Sequence, residues 1–357
     1  RMPLRRRSRD TAPTATAAGV SAPAATTTPA AVGALGELRA GVDLGGTKIL
    51  VVVVDGNNKI LARSRAATPH EGGPQAVADQ IADNIDDALG QAGADAKHLK
   101  GIGVGSPGSV DQAAGTVANA SNLPDWIEPF PLGGVLSQRF GNLPVRLGND
   151  VSVAVNAEYK LGAGRPYDSL LGVWWGTGVG GGLIIDRRQW DGRGYAGEFG
   201  HMVIELGGAK CGCGNRGCVE AYAGRRDMEA WVRKQRKKGK KTDLVKIMKH
   251  RERESFTSGI WAKGIRNDDK LAAKAVDRAI AAIAAGIGST VNLLDVPAVV
   301  IGGGMGERFF SDRQAQFESE TAKHLFRKEA PPALLATELG DDGGALGAAL
   351  LALAGSN

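Results

Sequence analysis

From Leu38 onward, short apolar runs alternate with turn residues: Gly41-Val42-Asp43-Leu44, a glycine turn, Ile49 to Val54, then Asp55-Gly56-Asn57-Asn58 and Ile60-Leu61-Ala62. Apolar runs of this length separated by such turns predict a meander of hairpins. Val77, Ile81, Ile85 and Leu89 share one helical face and predict an amphipathic helix over 74–92. A strand over 101–105, a loop region to 140, a strand over 144–147 and a helix over 151–161 complete a first half. A second meander runs from Leu170 through Gly176–Gly182 to Leu183-Ile184-Ile185. Helices over 219–238 and 270–294, a strand over 298–301, and helices near 307–325 and 344–354 follow it. Two meander-first halves, each finished by helices, predict an α/β protein with a duplicated domain around a central cleft.

The length of 357 residues suits about two domains. The pattern divides the chain into a tail over 1–36, an N-terminal α/β lobe over 37–147 that the C-terminal helix 344–356 rejoins, and a C-terminal α/β lobe over 148–343 holding a cysteine-bearing segment at 201–220. Residues 10–34 are mostly Ala, Thr and Pro without apolar periodicity, the composition of a disordered tail. Prolines and threonines interrupt every apolar run that a secretory leader would need, which favours the cytoplasm, and Met2 after Arg1 leaves the translation start open. No apolar run reaches the roughly 18 residues of a membrane span. The net charge of +6 is local: residues 1–36 carry five arginines and one aspartate, and residues 233–254 carry eleven lysines and arginines against three acids. The remainder is net negative, so a general nucleic-acid surface is not indicated, and the run Arg233–Lys241 reads as a solvated helix end.

The chain has 52 glycines, roughly twice the ordinary share. Gly41-x4-Gly46-Thr47-Lys48 looks like a Walker A loop with its last two residues exchanged, but strand residues follow where that loop needs a helix. The runs Gly103-x-Gly105-x-x-Gly108 and Gly176-x-Gly178-x-x-Gly181 match the dinucleotide fingerprint as text, yet neither opens a helix. A glycine-rich hairpin offers successive backbone N–H groups to which phosphate oxygens can come close. Two such hairpins at equivalent places in two half-repeats predict a polyphosphate held from both sides by Gly45, Gly46, Thr47 and Lys48 and by Gly176, Thr177, Gly178 and Gly180. Asp43 beside the first suits magnesium held through water. The plain alternative is that both are only tight turns.

All 3 cysteines lie close together, and His201 stands upstream: His201-x9-Cys211-x-Cys213-x4-Cys218. Four nitrogen and sulfur ligands in one glycine-bearing segment suit a closed, structural, tetrahedral zinc site. The alternatives are reduced unliganded thiols, or one disulfide with an odd thiol. A metal there would orient Glu198 and Glu220 so that both carboxylates face the cleft, where such acceptors hold sugar hydroxyls.

At these residues the chain resembles the ROK family of bacterial sugar kinases and sugar-responsive repressors, most closely its zinc-containing glucokinases. The segments are DLGGTK (43–48), GSPG (105–108), NLPDW (122–126), LGND (147–150), GTGVGGG (176–182), GEFGHM (197–202), CGCGNRGCVE (211–220), VIGGGM (300–305) and GALGAA (344–349). The resemblance implies the two-lobed actin-like ATPase fold, also called hexokinase or ribonuclease H-like. It further implies ATP-dependent transfer of the γ-phosphoryl group to the 6-hydroxyl of glucose, with magnesium and structural zinc, in a homodimer or homotetramer. Asp150 matches the general base; Asn122, Asn149, Asp150, Glu198, His201 and Glu220 match sugar-holding positions. His201, Cys211, Cys213 and Cys218 match the zinc ligands, and Gly302, Gly303 and Gly304 the adenosine-side loop.

The chain departs from the family pattern at Gly224, where serine is usual, which bears on the packing of the local helix. Trp174-Trp175 before the second hairpin has no reading beyond core packing. Another hexose or N-acetylhexosamine (mannose, fructose, N-acetylmannosamine, N-acetylglucosamine) is the nearest alternative substrate. A sugar-responsive repressor is the alternative from another class, but the 36 residues before the fold show neither the length nor the periodicity of a helix-turn-helix module.

Overall fold

The computed structural model describes residues 37–353 except Ser121; the expected tail 1–36 and the final residues of the expected C-terminal helix lie outside that range. The first half contains β1 (Leu38–Leu44), β2 (Lys48–Val54), β3 (Ile60–Ala67), α1 (Gly73–Gln91), β4 (Leu99–Ser106), β5 (Ser109–Asp111), β6 (Thr116–Ala118), α2 (Leu132–Arg139), β7 (Val145–Asn149) and α3 (Asp150–Leu161). The second contains β8 (Leu170–Trp175), β9 (Val179–Ile185), β10 (Arg188–Gln189), α4 (Glu220–Ala223), α5 (Arg225–Lys237), α6 (Leu244–His250), α7 (Ser258–Arg266), α8 (Lys270–Leu294), β11 (Ala298–Gly302), α9 (Gly303–Ala322), β12 (Ala333–Ala336) and α10 (Gly343–Leu351).

The duplication shows in the strand order. One sheet runs β3-β2-β1-β4-β7 and the other β10-β9-β8-β11-β12. In both, the three meander strands pair antiparallel and the last two add in parallel. This is the two-lobed actin-like ATPase fold.

Strand β2 shows why the sequence folds this way. Its apolar run would be wasteful in a sheet wetted on one face, and here both faces are covered. Ile49, Val51 and Val53 pack with Val77, Ile81 and Ile85 of α1, whereas Leu50, Val52 and Val54 pack with Ala345, Leu346 and Ala349 of α10. Helix α10 lies so close that a Cβ on Gly41 or Gly103 would overlap the carbonyl of Ala345 or Ala348. Helix α3 covers the second sheet in the same way, with Val155 filling the space above Gly172 and Gly182. The two helices meet at Gly347, against the Val153 carbonyl. A continuous layer of sheet, helix, helix and sheet results.

Several elements differ from the sequence expectation. The region read as loop to 140 contains the β5–β6 hairpin and α2. The expected helix 219–238 is two helices, because Gly224 takes an extended backbone (ψ 131°) that ends α4 and starts α5. Helices α6 and α7 were not anticipated. They are short, and tertiary contacts hold them: the Asp269 carboxylate caps α8 through Leu271 and Ala272 and also binds the Thr242 hydroxyl and Asp243 N–H just before α6. Helix α9 starts at Gly303 instead of near 307, so Gly303 and Gly304 form its first turn. Strand β12 was also missed. No described helix is long and apolar enough to cross a membrane.

Gly103→Ala places a methyl group where α10 touches β4. We expect a loss of about 1–3 kcal/mol in urea unfolding, the usual cost of overpacking; an unchanged midpoint would show that α10 can lift from the sheet freely.

Candidate active site

Asp150 opens α3 directly after β7, where the parallel strand ends and the chain turns into the helix. Asn149 is the helix cap, its side-chain oxygen accepting from the N–H groups of Val151 and Ser152 (both 3.1 Å). The Asp150 carboxylate stands at the first helical position after that cap. It is half-buried and accepts one bond from the Val151 N–H (2.9 Å). Burial, then the negative charge of Asp43, and more weakly that of Glu198, raise its pKa to about 6 against the pull of the Val151 N–H. A carboxylate poised near neutrality and facing two other acids has the character of a proton acceptor.

Asp43 is the penultimate residue of β1 and abuts Gly344 at the start of α10, with a Cβ on Gly344 reaching 2.8 Å from its carboxyl carbon. Burial raises its pKa too, opposed by Lys48. The first glycine hairpin follows. The Gly45 N–H bonds the Lys48 carbonyl (2.9 Å), Thr68 Oγ1 donates to the Gly45 carbonyl (2.6 Å), and Thr47 is exposed. Lys48 reaches Asp341 at 3.4 Å. Asn122 leans on this hairpin, its carbonyl 2.7 Å from where a Gly46 Cβ would stand. The flanking Leu123 and Trp126 are buried, and the Trp126 indole donates to the Val117 carbonyl (2.8 Å), which anchors the loop and leaves Asn122 exposed.

The second hairpin joins β8 to β9. Gly180 lies over Val151 at the start of α3, and Gly178 lies over Glu220. The Glu220 carboxylate accepts the Val179 N–H (2.8 Å), so this acid, expected beside the sugar, braces the hairpin. Thr177 is exposed at the tip. Behind the hairpin, Trp175 is fully buried and donates to the Ala223 carbonyl (2.7 Å), whereas Trp174 is half-buried against Gly302. Gly303 has φ +79° and lies against the Trp175 carbonyl, a position only glycine fills without strain. Gly302, Gly303 and Gly304 thus adjoin the second hairpin, with Gly304 opening the α9 N-terminus.

Glu198 is exposed and stands 3.9 Å from His201 Nε2. The other ring nitrogen, Nδ1, faces Cys211 Sγ at 3.7 Å, and Cys213 Sγ lies 3.8 Å from Cys218 Sγ. All four ligand atoms fall within 4.8 Å of one another. Tetrahedral sulfur ligands at about 2.3 Å from zinc stand roughly 3.8 Å apart, so the set fits such an ion. Burial pushes the Cys211 and Cys218 thiols up, a cost that a dication at the centre offsets by holding thiolates. The cluster contains no disulfide: all three cysteines are free. Bridges Val203–Cys218 and Lys210–Arg216 fold the segment back on itself, and the Tyr222 hydroxyl donates to the Glu205 carboxylate.

Two groups escaped sequence reading. Arg225 binds the hairpin tip at Thr177, and the Asp341–Asp342 turn pairs with Lys48, Arg63 and Arg65. Neither has a local signal, since each partner is distant in the chain.

The sequence pattern of the ROK family matches residues 39–354. The chain belongs to the ROK family. It is 34% identical over 266 residues to a glucokinase of Thermotoga maritima, covering 74% of this chain and 81% of that one. It is 32% identical over 324 residues to an N-acetyl-D-glucosamine kinase of Pectobacterium carotovorum, covering 88% and 98%. The crystal structure of a ROK family glucokinase from Streptomyces griseus with glucose and AMPPNP superposes with a TM-score of 0.74 at 32% identity, covering 88% of this chain and 99% of that one. This ROK protein is therefore a sugar kinase by descent, and its relatives include both glucokinases and N-acetyl-D-glucosamine kinases.

The four-ligand cluster predicts close to one equivalent of zinc per chain by elemental analysis. Cys218→Ser, at a buried ligand, should abolish retention and lower thermal stability; protein purified without metal and equally stable would refute the assignment.

Proposed function

We propose that the chain is an ATP-dependent hexokinase that transfers the γ-phosphoryl group to the 6-hydroxyl of glucose, acting as a glucokinase in cytoplasmic glycolysis. The observation that carries this reading is Asp150, its pKa raised to about 6 beside Asp43 and Glu198 between two glycine hairpins. Asp150 takes the proton as the hydroxyl oxygen attacks phosphorus, the bond to the bridging oxygen of ATP breaks, and ADP leaves. Asn122, Asn149, Glu198, His201 and Glu220 hold the sugar, Glu220 through the carboxylate oxygen that does not bond the Val179 N–H. The Asn149 amide nitrogen has no hydrogen-bond partner among the described residues, which suits this role. A zinc ion held by His201 Nδ1 and the three cysteines would fix the ring beside Glu198 and leave Nε2 for a hydroxyl.

The two hairpins and Gly302–Gly304 hold the nucleotide, and magnesium carried near Asp43 would neutralise charge on the phosphates. The lobes are 37–147 with the C-terminal helix, and 148–343. The partners are a sugar, a nucleotide and a second copy of the chain in a homodimer or homotetramer. The similarity to N-acetylglucosamine kinases supports one further reading, an N-acetylhexosamine kinase using the same base.

A coupled assay with ATP and a panel of hexoses and N-acetylhexosamines decides the substrate. Glucose should give the highest kcat/KM; preference for an N-acetylated sugar would favour the second reading, and no turnover on any sugar would overturn both. Asp150→Asn should keep sugar binding and lower kcat by about 10²–10⁴-fold. Because Asp150 must be ionised to accept a proton, kcat/KM should fall as pH drops through about 6. A flat profile from pH 5 to 8 would remove Asp150 from the role.

A further inference from the structure

Arg225 begins α5 immediately after the break at Gly224. Its backbone N–H and that of Arg226 donate to the carbonyls of Gly176 and Thr177 (3.2 Å each), so the helix start grips the second hairpin. Its side chain grips the same turn: Nη2 donates to Thr177 Oγ1 (2.7 Å) and Nη1 to the Phe256 carbonyl (3.0 Å).

Phe256 is itself fixed. Its N–H donates to Glu229 Oε2 (2.7 Å), and its ring packs edge-on to Trp261 at 5.6 Å. The guanidinium is therefore held rigidly beside an exposed hairpin tip. Burial is the main influence on its charge and opposes it. No carboxylate lies within 4.0 Å of it among the described residues, and Glu229, the acid whose charge acts on it, is taken by Arg233 (2.6 Å) and the Phe256 N–H. Of the five N–H donors of a guanidinium, two are used. A half-buried, preorganised cation with donors to spare marks a place for an anion.

The surroundings identify that anion. Thr177 belongs to the hairpin read above as a phosphate cradle, and Ser258, two residues beyond Phe256, lies 3.9 Å from where a Gly304 Cβ would stand. Arg225 thus bonds the hairpin on one side and, on the other, the segment that reaches the glycine loop opening α9. We propose that Arg225 binds the donor, its free N–H edge engaging the linked phosphates of a nucleoside di- or triphosphate and so selecting against donors with fewer phosphates. This rests on the kinase reading and deepens it. No family motif quoted above extends to Arg225.

Calorimetric titration of the full chain with adenosine, AMP and ADP tests it, comparing wild type, Arg225→Gln, Arg225→Lys and, as a charge control, Arg236→Gln on the exposed end of α5. Arg225→Gln should weaken ADP about tenfold to hundredfold, the range for a lost charge-assisted bond, and leave adenosine unchanged. Arg225→Lys should recover only part, because a point charge lacks the planar fork. Arg236→Gln should match wild type. Equal weakening of all three ligands would show a structural role and overturn the proposal, as would undiminished ADP binding. Wild type that binds no ADP would overturn the proposal and the donor reading together. Wild type that binds ADP but phosphorylates no sugar would overturn the sugar-kinase reading, and the ADP selectivity of Arg225→Gln would still support the contact.

Discussion

The close approach of α3 and α10 is the constraint on which the rest of the molecule depends. Each helix lies on its own sheet over glycines, α10 over Gly41 and Gly103 and α3 over Gly172 and Gly182, and the two touch at Gly347. Side chains at these positions would push each helix away from its sheet and the sheets from one another. The absence of Cβ atoms lets backbone meet backbone, so β1, β7 and β8 end near one another. Asp43, Asp150 and the second hairpin occupy those ends, and their proximity is a consequence of packing elsewhere.

That proximity accounts for the electrostatics. Burial raises the pKa of both Asp43 and Asp150, and the charge of Asp43 is the second contribution at Asp150. Like charges near each other in a half-buried cleft cost stability, and functional sites commonly accept such a cost. The cations that relieve it come from outside the acid pair. Lys48 is shared between Asp43 and Asp341, and Arg65 holds Asp341 below the usual carboxylate range. The same turn before α10 is tied back to α3, because the buried Glu158 carboxylate accepts the N–H groups of Glu338 and Leu339. Charge and packing therefore converge on one crossing.

The cysteine segment is built on a different principle. It lacks an extensive apolar core of its own and folds through backbone bridges around His201, Cys211, Cys213 and Cys218. From one end it places Glu198 near His201, and from the other it places Glu220 under the second hairpin. One short segment thus reaches both the Glu198–His201 pair and the second hairpin. This explains the position of Glu220, whose spacing from Cys218 gave no indication that it would bond the Val179 N–H.

The meanders, helix α1, the strands at their cores, the four-ligand cluster and the glycine hairpins were legible in the sequence. Each is written in a local period or a short spacing: apolar runs bounded by turn residues fix strands, a four-residue recurrence fixes α1, and three thiols within eight residues can reach one another with little help. Helices α6 and α7, the break at Gly224 and the early start of α9 were not legible. The first two depend on contacts such as that of Asp269 with Thr242, the break on an extended backbone where helix residues flank it, and the start of α9 on the Trp175 carbonyl behind Gly303. The grip of Arg225 on Thr177 spans 48 residues, and the pairing of Lys48 with Asp341 spans 293. A one-dimensional pattern records what a residue is and which neighbours lie within a turn or two. Which distant groups share a cleft, and hence which carboxylate is pushed toward neutrality, is decided only when the sheets and helices have closed on one another.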